Sequence, residues 1–203
     1  STVLTGGAVL IMSGEGTASS SGAVGIRSLN SGETGVSGAL FFSTGTSSSG
    51  NSGALWLGSG ASTAGRGGVV MLSVGSGTSG AGGSMQVFSG RSTVLTGGAI
   101  SVATGEGTAT TSGAITVRTL NAGTAGVSGL LSFSTGTTSS GNSGALWIGS
   151  GAATGGKGGS LSITVGSGNS GSGGDVSIAS GRSTVLTGGA ISVTTGEGTT
   201  TSS

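Results

Sequence analysis

The chain has no Cys, Pro, His or Tyr, and only 11 of its 203 residues carry charge. Each absence removes a class of chemistry. Without Cys there is no disulfide framework and no thiolate metal site. Without His or Cys, a Ser-His or Cys-His nucleophile cannot be assembled. No stretch approaches the roughly 18 apolar residues of a membrane span. Six basic residues spread along the chain form no nucleic-acid patch. No enzyme and no cofactor is expected.

What is abundant is Gly, at 50 residues, with Ser and Thr supplying much of the remainder. Such a composition suits a flexible linker. Disordered chains, however, combine low hydrophobicity with high net charge. This one is 33% apolar with formal charge +1, and its apolar residues recur at fixed intervals. The chain opens in mid-pattern, as expected of a window on a longer protein.

Two periods are nested. The string STVLTGGA begins at Ser1, Ser92 and Ser183, and residues 1–91 and 92–182 agree at 58 of 91 positions. Residues 183–203 begin a third copy. Inside each copy a Gly precedes every apolar alternation, from Gly7, Gly22 and Gly38 through to Gly174 and Gly189. Successive steps are 15 residues, except that Gly22 to Gly38 and Gly113 to Gly129 are 16. Val36 and Val127 stand where the extra residue falls, and a bulge or wider turn is expected there.

The second and fourth residues after each of the 13 marker glycines are apolar, which is the period of a strand. The expected fold is therefore all-β, a single-stranded β-solenoid (β-helix) with no helices. It would have about 15 residues per rung, six rungs per 91-residue super-repeat and about 13 rungs in one continuous segment. Rungs stacked about 4.8 Å apart would place Val9, Ile11, Leu40, Phe42, Leu55, Leu57, Ile100, Val102, Leu131, Phe133, Leu146 and Ile148 in core columns. Arg91 and Glu106, and likewise Arg182 and Glu197, occupy equivalent positions 15 residues apart. They are expected to pair between rungs as register keys.

Familiar motifs dissolve in this context. Gly75 to Gly80 spells GxGxxG, but no helical periodicity follows it, as a dinucleotide fingerprint requires. Gly151 to Gly158 resembles a phosphate-binding loop, yet Gly158 stands in place of the Mg²⁺-binding hydroxyl. Glu15, Glu106 and Glu197 are whole repeats apart and cannot act as an acid/base pair. No metal site is expected from such isolated acids.

The residues between the apolar pairs carry the functional signal. Leu10, Phe41, Trp56 and Met71, with Met12 and Phe88 further along their segments, form an outward apolar stripe in the first repeat. In the second repeat most equivalents are Ser or Thr, and Trp147 alone keeps its aromatic. An exposed apolar stripe marks a contact surface. The expected partner is another such chain, associating laterally or head to tail. Ser and Thr hydroxyls could also carry O-linked glycans, although no sequence-defined site exists.

Motifs such as SGAITV and GNSGALW resemble the very long Gly/Ser/Thr-rich repeat proteins of diatoms and related algae. That resemblance implies an extracellular or cell-surface fibre. The 15-residue period is also similar in scale to insect and grass antifreeze solenoids, whose flat Thr or Ser arrays are interrupted here by Trp147 and Arg118. A structural filament is the leading expectation. An adhesin or glycan-binding stalk is the second, and an ice-binding protein the third.

Overall fold

A computed structural model describes residues 6–198. Two units are resolved, Ser1–Ser101 and Val102–Ser203. Among the described residues there is neither a helix nor a strand, so the expected β-solenoid is not formed. Its core is not formed either. Val9, Ile11, Leu40, Phe42, Leu55, Leu57, Ile100, Val102, Leu131, Phe133, Leu146 and Ile148 are all exposed, and no described hydrophobic residue is buried.

The reason lies in what a period of two encodes. Alternation assigns side chains to faces, but a strand also needs a neighbour that takes up its N–H and C=O groups. The seven backbone–backbone hydrogen bonds among the described residues span only three to eight positions, each between two glycines. Five of them tie a marker to the step before it, and none pairs the apolar segments of neighbouring steps. The faces survive without the ladder. Leu40 and Leu55, second after their markers, are 49% and 55% exposed, whereas the intervening Phe41 and Trp56 are 85% and 90% exposed; the first step departs from this, with Val9 at 89% and Leu10 at 76%.

What is regular is a loop. Between successive markers from Gly7 to Gly189, the chain leaves the marker, runs through the apolar alternation, bends once, and returns to the next marker. From Gly22 to Gly189, a Cβ placed on each marker would meet, within 3.5 Å, the residue six after the previous marker. Gly159 would meet Ser150 Cβ at 2.9 Å, Gly174 would meet Val165 Cγ1 at 2.7 Å, and Gly83 would meet Val74. No described residue has positive φ, so close approach rather than backbone handedness explains these glycines. We call this contact the neck of the step.

Two hydrogen-bond patterns close the neck. In some steps the marker N–H donates to the carbonyl of the Gly eight residues before it, as from Gly98 to Gly90 at 2.9 Å and from Gly22 to Gly14 at 3.0 Å. In others the neck hydroxyl donates to the marker carbonyl. Thr44 does so to Gly53 at 3.1 Å, Ser59 to Gly68 at 2.9 Å and Ser150 to Gly159 at 2.9 Å.

The bend has two main forms, set by the ninth residue after the marker, with Ala122 and Ala153 holding that place in two further steps. Where it is Ser or Thr in a 15-residue step, its hydroxyl accepts an N–H three residues on, whereas Ser31 of the first longer step donates to the Gly35 carbonyl at 3.0 Å. Gly50 donates to Ser47, Gly65 to Ser62, Leu95 to Ser92, Gly141 to Thr138 and Leu186 to Ser183. Where it is Gly, the following carbonyls crowd in. A Cβ on Gly16 would stand 2.5 Å from the Ser20 oxygen, and its repeat equivalent Gly107 would meet Thr111. Gly16 and Gly107 are also the two described residues that are half-buried rather than exposed.

The 16-residue steps keep the same neck. Gly38 lies against Ser28 and Gly129 against Thr119, as in the shorter steps. Their extra residue falls inside the loop, beside a tight turn closed by Gly35 N–H to Gly32 and Gly126 N–H to Gly123.

Candidate interaction surface

The expected contact residues are all on the surface. Leu10, Met12, Phe41, Trp56, Met71 and Phe88 in the first unit, and Trp147 in the second, are each at least 74% exposed. They stand in separate steps rather than converging on one pocket, so the arrangement suits an extended contact and not the enclosure of a small ligand. Arg91, Glu106, Arg182 and Glu197 are exposed loop residues, each eight positions after its marker, and the first three lie next to a neck.

Further apolar groups sit on the bends themselves. Val94 and Leu95, and their equivalents Val185 and Leu186, are more than 80% exposed. Ser92 accepts hydrogen bonds from the N–H groups of both Val94 (3.3 Å) and Leu95 (2.9 Å). Ser183 does the same for Val185 and Leu186. The hydroxyl therefore holds a bend that presents two aliphatic side chains to solvent. Sequence reasoning used STVLTGGA only as a repeat marker. The available signal was an apolar pair inside a Ser/Thr/Gly turn, where polar residues are the rule. Val36 and Val127, in the loops of the longer steps, are 95% exposed.

The chain's accessible area is 20101 Å². A globular protein of this mass exposes about 8,200 Å², and an unfolded chain about 27,000 Å². The excess over a globule is on the order of 12,000 Å², several times the roughly 1,600 Å² of a standard interface.

One concavity of about 350 Å³ is lined by Arg27, Ser28, Leu29 and Asn30, in the first of the longer steps. It contains a single charged group and no carboxylate, thiol or imidazole. Among the described residues no three His, Cys, Asp or Glu side chains come together. No helix among them is long and apolar enough to cross a membrane.

No protein-family model, no curated protein and no solved structure matches this chain.

Proposed function

We propose that this chain is a non-enzymatic structural repeat segment that associates with further copies of itself in an extracellular or cell-surface filament. The observation that carries the reading is the exposure of the apolar rows. Ordering the backbone costs about 1–2 kcal/mol per residue. A chain whose described residues bury no side chain has little with which to offset that cost. Contacts outside the single chain must supply it, at about 25 cal/mol per Å² of apolar surface covered. A copy of the same chain meets the need at every step, because it presents the same rows at the same spacing.

Low charge supports the same reading. With a net charge of +1 and 11 charged residues in 203, mutual repulsion between copies is weak. Ser, Thr and Gly keep the remaining surface polar without adding bulk.

Sedimentation and electron microscopy of the purified chain test this directly. Concentration-dependent assembly into filaments is expected. Monomers at every concentration, with no filaments, overturn it.

A second reading, an adhesin or glycan-binding stalk, draws support from Trp56 and Trp147, which are 90% and 91% exposed at the same place in each repeat. Exposed aromatic faces are suited to sugar rings and other flat apolar surfaces. Glycan-array binding that disappears with Trp56→Ala and Trp147→Ala, while self-assembly is unaffected, would favour it.

A further inference from the structure

The charges of the first unit are not scattered at random along its steps. Numbering the steps from their markers, step 1 (Gly7) carries Glu15 and step 6 (Gly83) carries Arg91, both eight residues after the marker. Steps 2 to 5 have neutral residues at that position: Asn30, Thr46, Ala61 and Ser76. The unit thus has an acidic first neck and a basic last neck. The remaining charges are Arg27 and Glu33 in step 2 and Arg66 in step 4, and steps 3 and 5 have none. Every one of these groups is exposed and free to meet a partner.

Two copies can lie alongside each other in two directions. Parallel and in register, each charged step faces itself, so Glu15 meets Glu15, Arg66 meets Arg66 and Arg91 meets Arg91. Antiparallel about the midpoint of the six steps, step 1 faces step 6 and step 2 faces step 5. Step 3 then faces step 4. Glu15 stands opposite Arg91, and the other charged steps meet uncharged ones. No step faces one of like charge alone. The same reversal brings Phe41 opposite Trp56 twice, once on each side of the axis, at the centre of the contact. A central aromatic cluster with charges at the margins is how stable interfaces are built.

We infer that the first units of two copies of this chain pair antiparallel, about a two-fold axis between steps 3 and 4, with Glu15 of one copy facing Arg91 of the other. The inference deepens the self-association proposed above and rests on it. Charge complementarity fixes the direction, and the exposed apolar stripe supplies the area. A two-fold arrangement is also the commonest closed symmetry between identical chains.

The absence of Cys makes the test clean. Thr17 and Thr93 lie at equivalent bends of steps 1 and 6. Two differently tagged chains, one Thr17→Cys and one Thr93→Cys, are mixed under assembling conditions and treated with a short bismaleimide. Antiparallel pairing gives chiefly the mixed 17–93 product, at least fivefold over 17–17 and 93–93. Glu15→Arg lowers that yield by threefold or more, and adding Arg91→Glu to the same chain restores it. Assembly with 17–17 and 93–93 products predominating, or with all three in equal amounts, overturns the antiparallel arrangement while leaving self-association standing. Absence of assembly and of every product overturns both.

Discussion

The Ser150 hydroxyl donates to the carbonyl oxygen of Gly159 at 2.9 Å, and the Ser150 Cβ lies 2.9 Å from where a side chain on Gly159 would begin. One pair of residues therefore makes the bond that closes a loop and sets the steric limit on its partner. The two roles separate by mutation. Ser150→Ala removes only the bond, at about 0.5–1.5 kcal/mol for a neutral hydrogen bond, reduced by exposure. Gly159→Ala forces the neck open and is expected to cost about 1–3 kcal/mol, as overpacking does elsewhere. Thermal or denaturant melting of the assembled protein should rank Gly159→Ala as the more damaging.

The bends make a complementary forecast. Gly16→Ala and Gly107→Ala push a Cβ into the carbonyls that follow, so both should destabilise their loops. Gly→Ala at Gly151, which has nothing within 4 Å, should be neutral or slightly stabilising through the unfolded state. Comparing the three variants by limited proteolysis checks this. Equal cleavage in all three would refute the crowding.

Amide exchange should distinguish the two neck types. The Gly83, Gly98, Gly113 and Gly189 N–H groups donate to carbonyls, whereas at Gly53, Gly68 and Gly159 the neck bond comes from a hydroxyl. Exchange measured by NMR is expected to be slower at the first group than at the second.

Replacing the aromatic pair Phe41 and Trp56 by Ala should weaken self-association by tenfold or more, since aromatic anchors dominate interface energies. Ser101→Ala, between Ile100 and Val102 in a step that lacks an outward apolar residue, should leave it unchanged. Critical assembly concentrations of the variants provide the measurement.

The sequence revealed the periodic part of this structure. The 15- and 16-residue steps, the marker glycines and, in segments such as Leu40–Phe42 and Leu55–Leu57, the two faces were legible because each is a spacing. Their inference to a stacked coil failed because a spacing does not show which backbone group meets which. Leu40 and Leu131 are partly shielded as alternation implies, yet they have no ladder beside them. The neck was half visible. Ser, Thr or Val six residues after each marker stands where the alternation would continue the apolar row, whereas in the structure that residue closes onto the next Gly. The bend rule was hidden for a different reason. Ser47 and Gly16 look like interchangeable turn residues, and only geometry shows that one acts by accepting a bond and the other by having no side chain.

The longer steps have a practical corollary. Because Gly38 and Gly129 meet their necks as the shorter steps do, an added residue alters the loop and not the apolar rows. The loop tips are thus insertion points whose cargo is insulated from the spacing of the scaffold. Short peptides grafted beside Val36 and Val127 would be displayed once per 91 residues, an interval written into the chain itself.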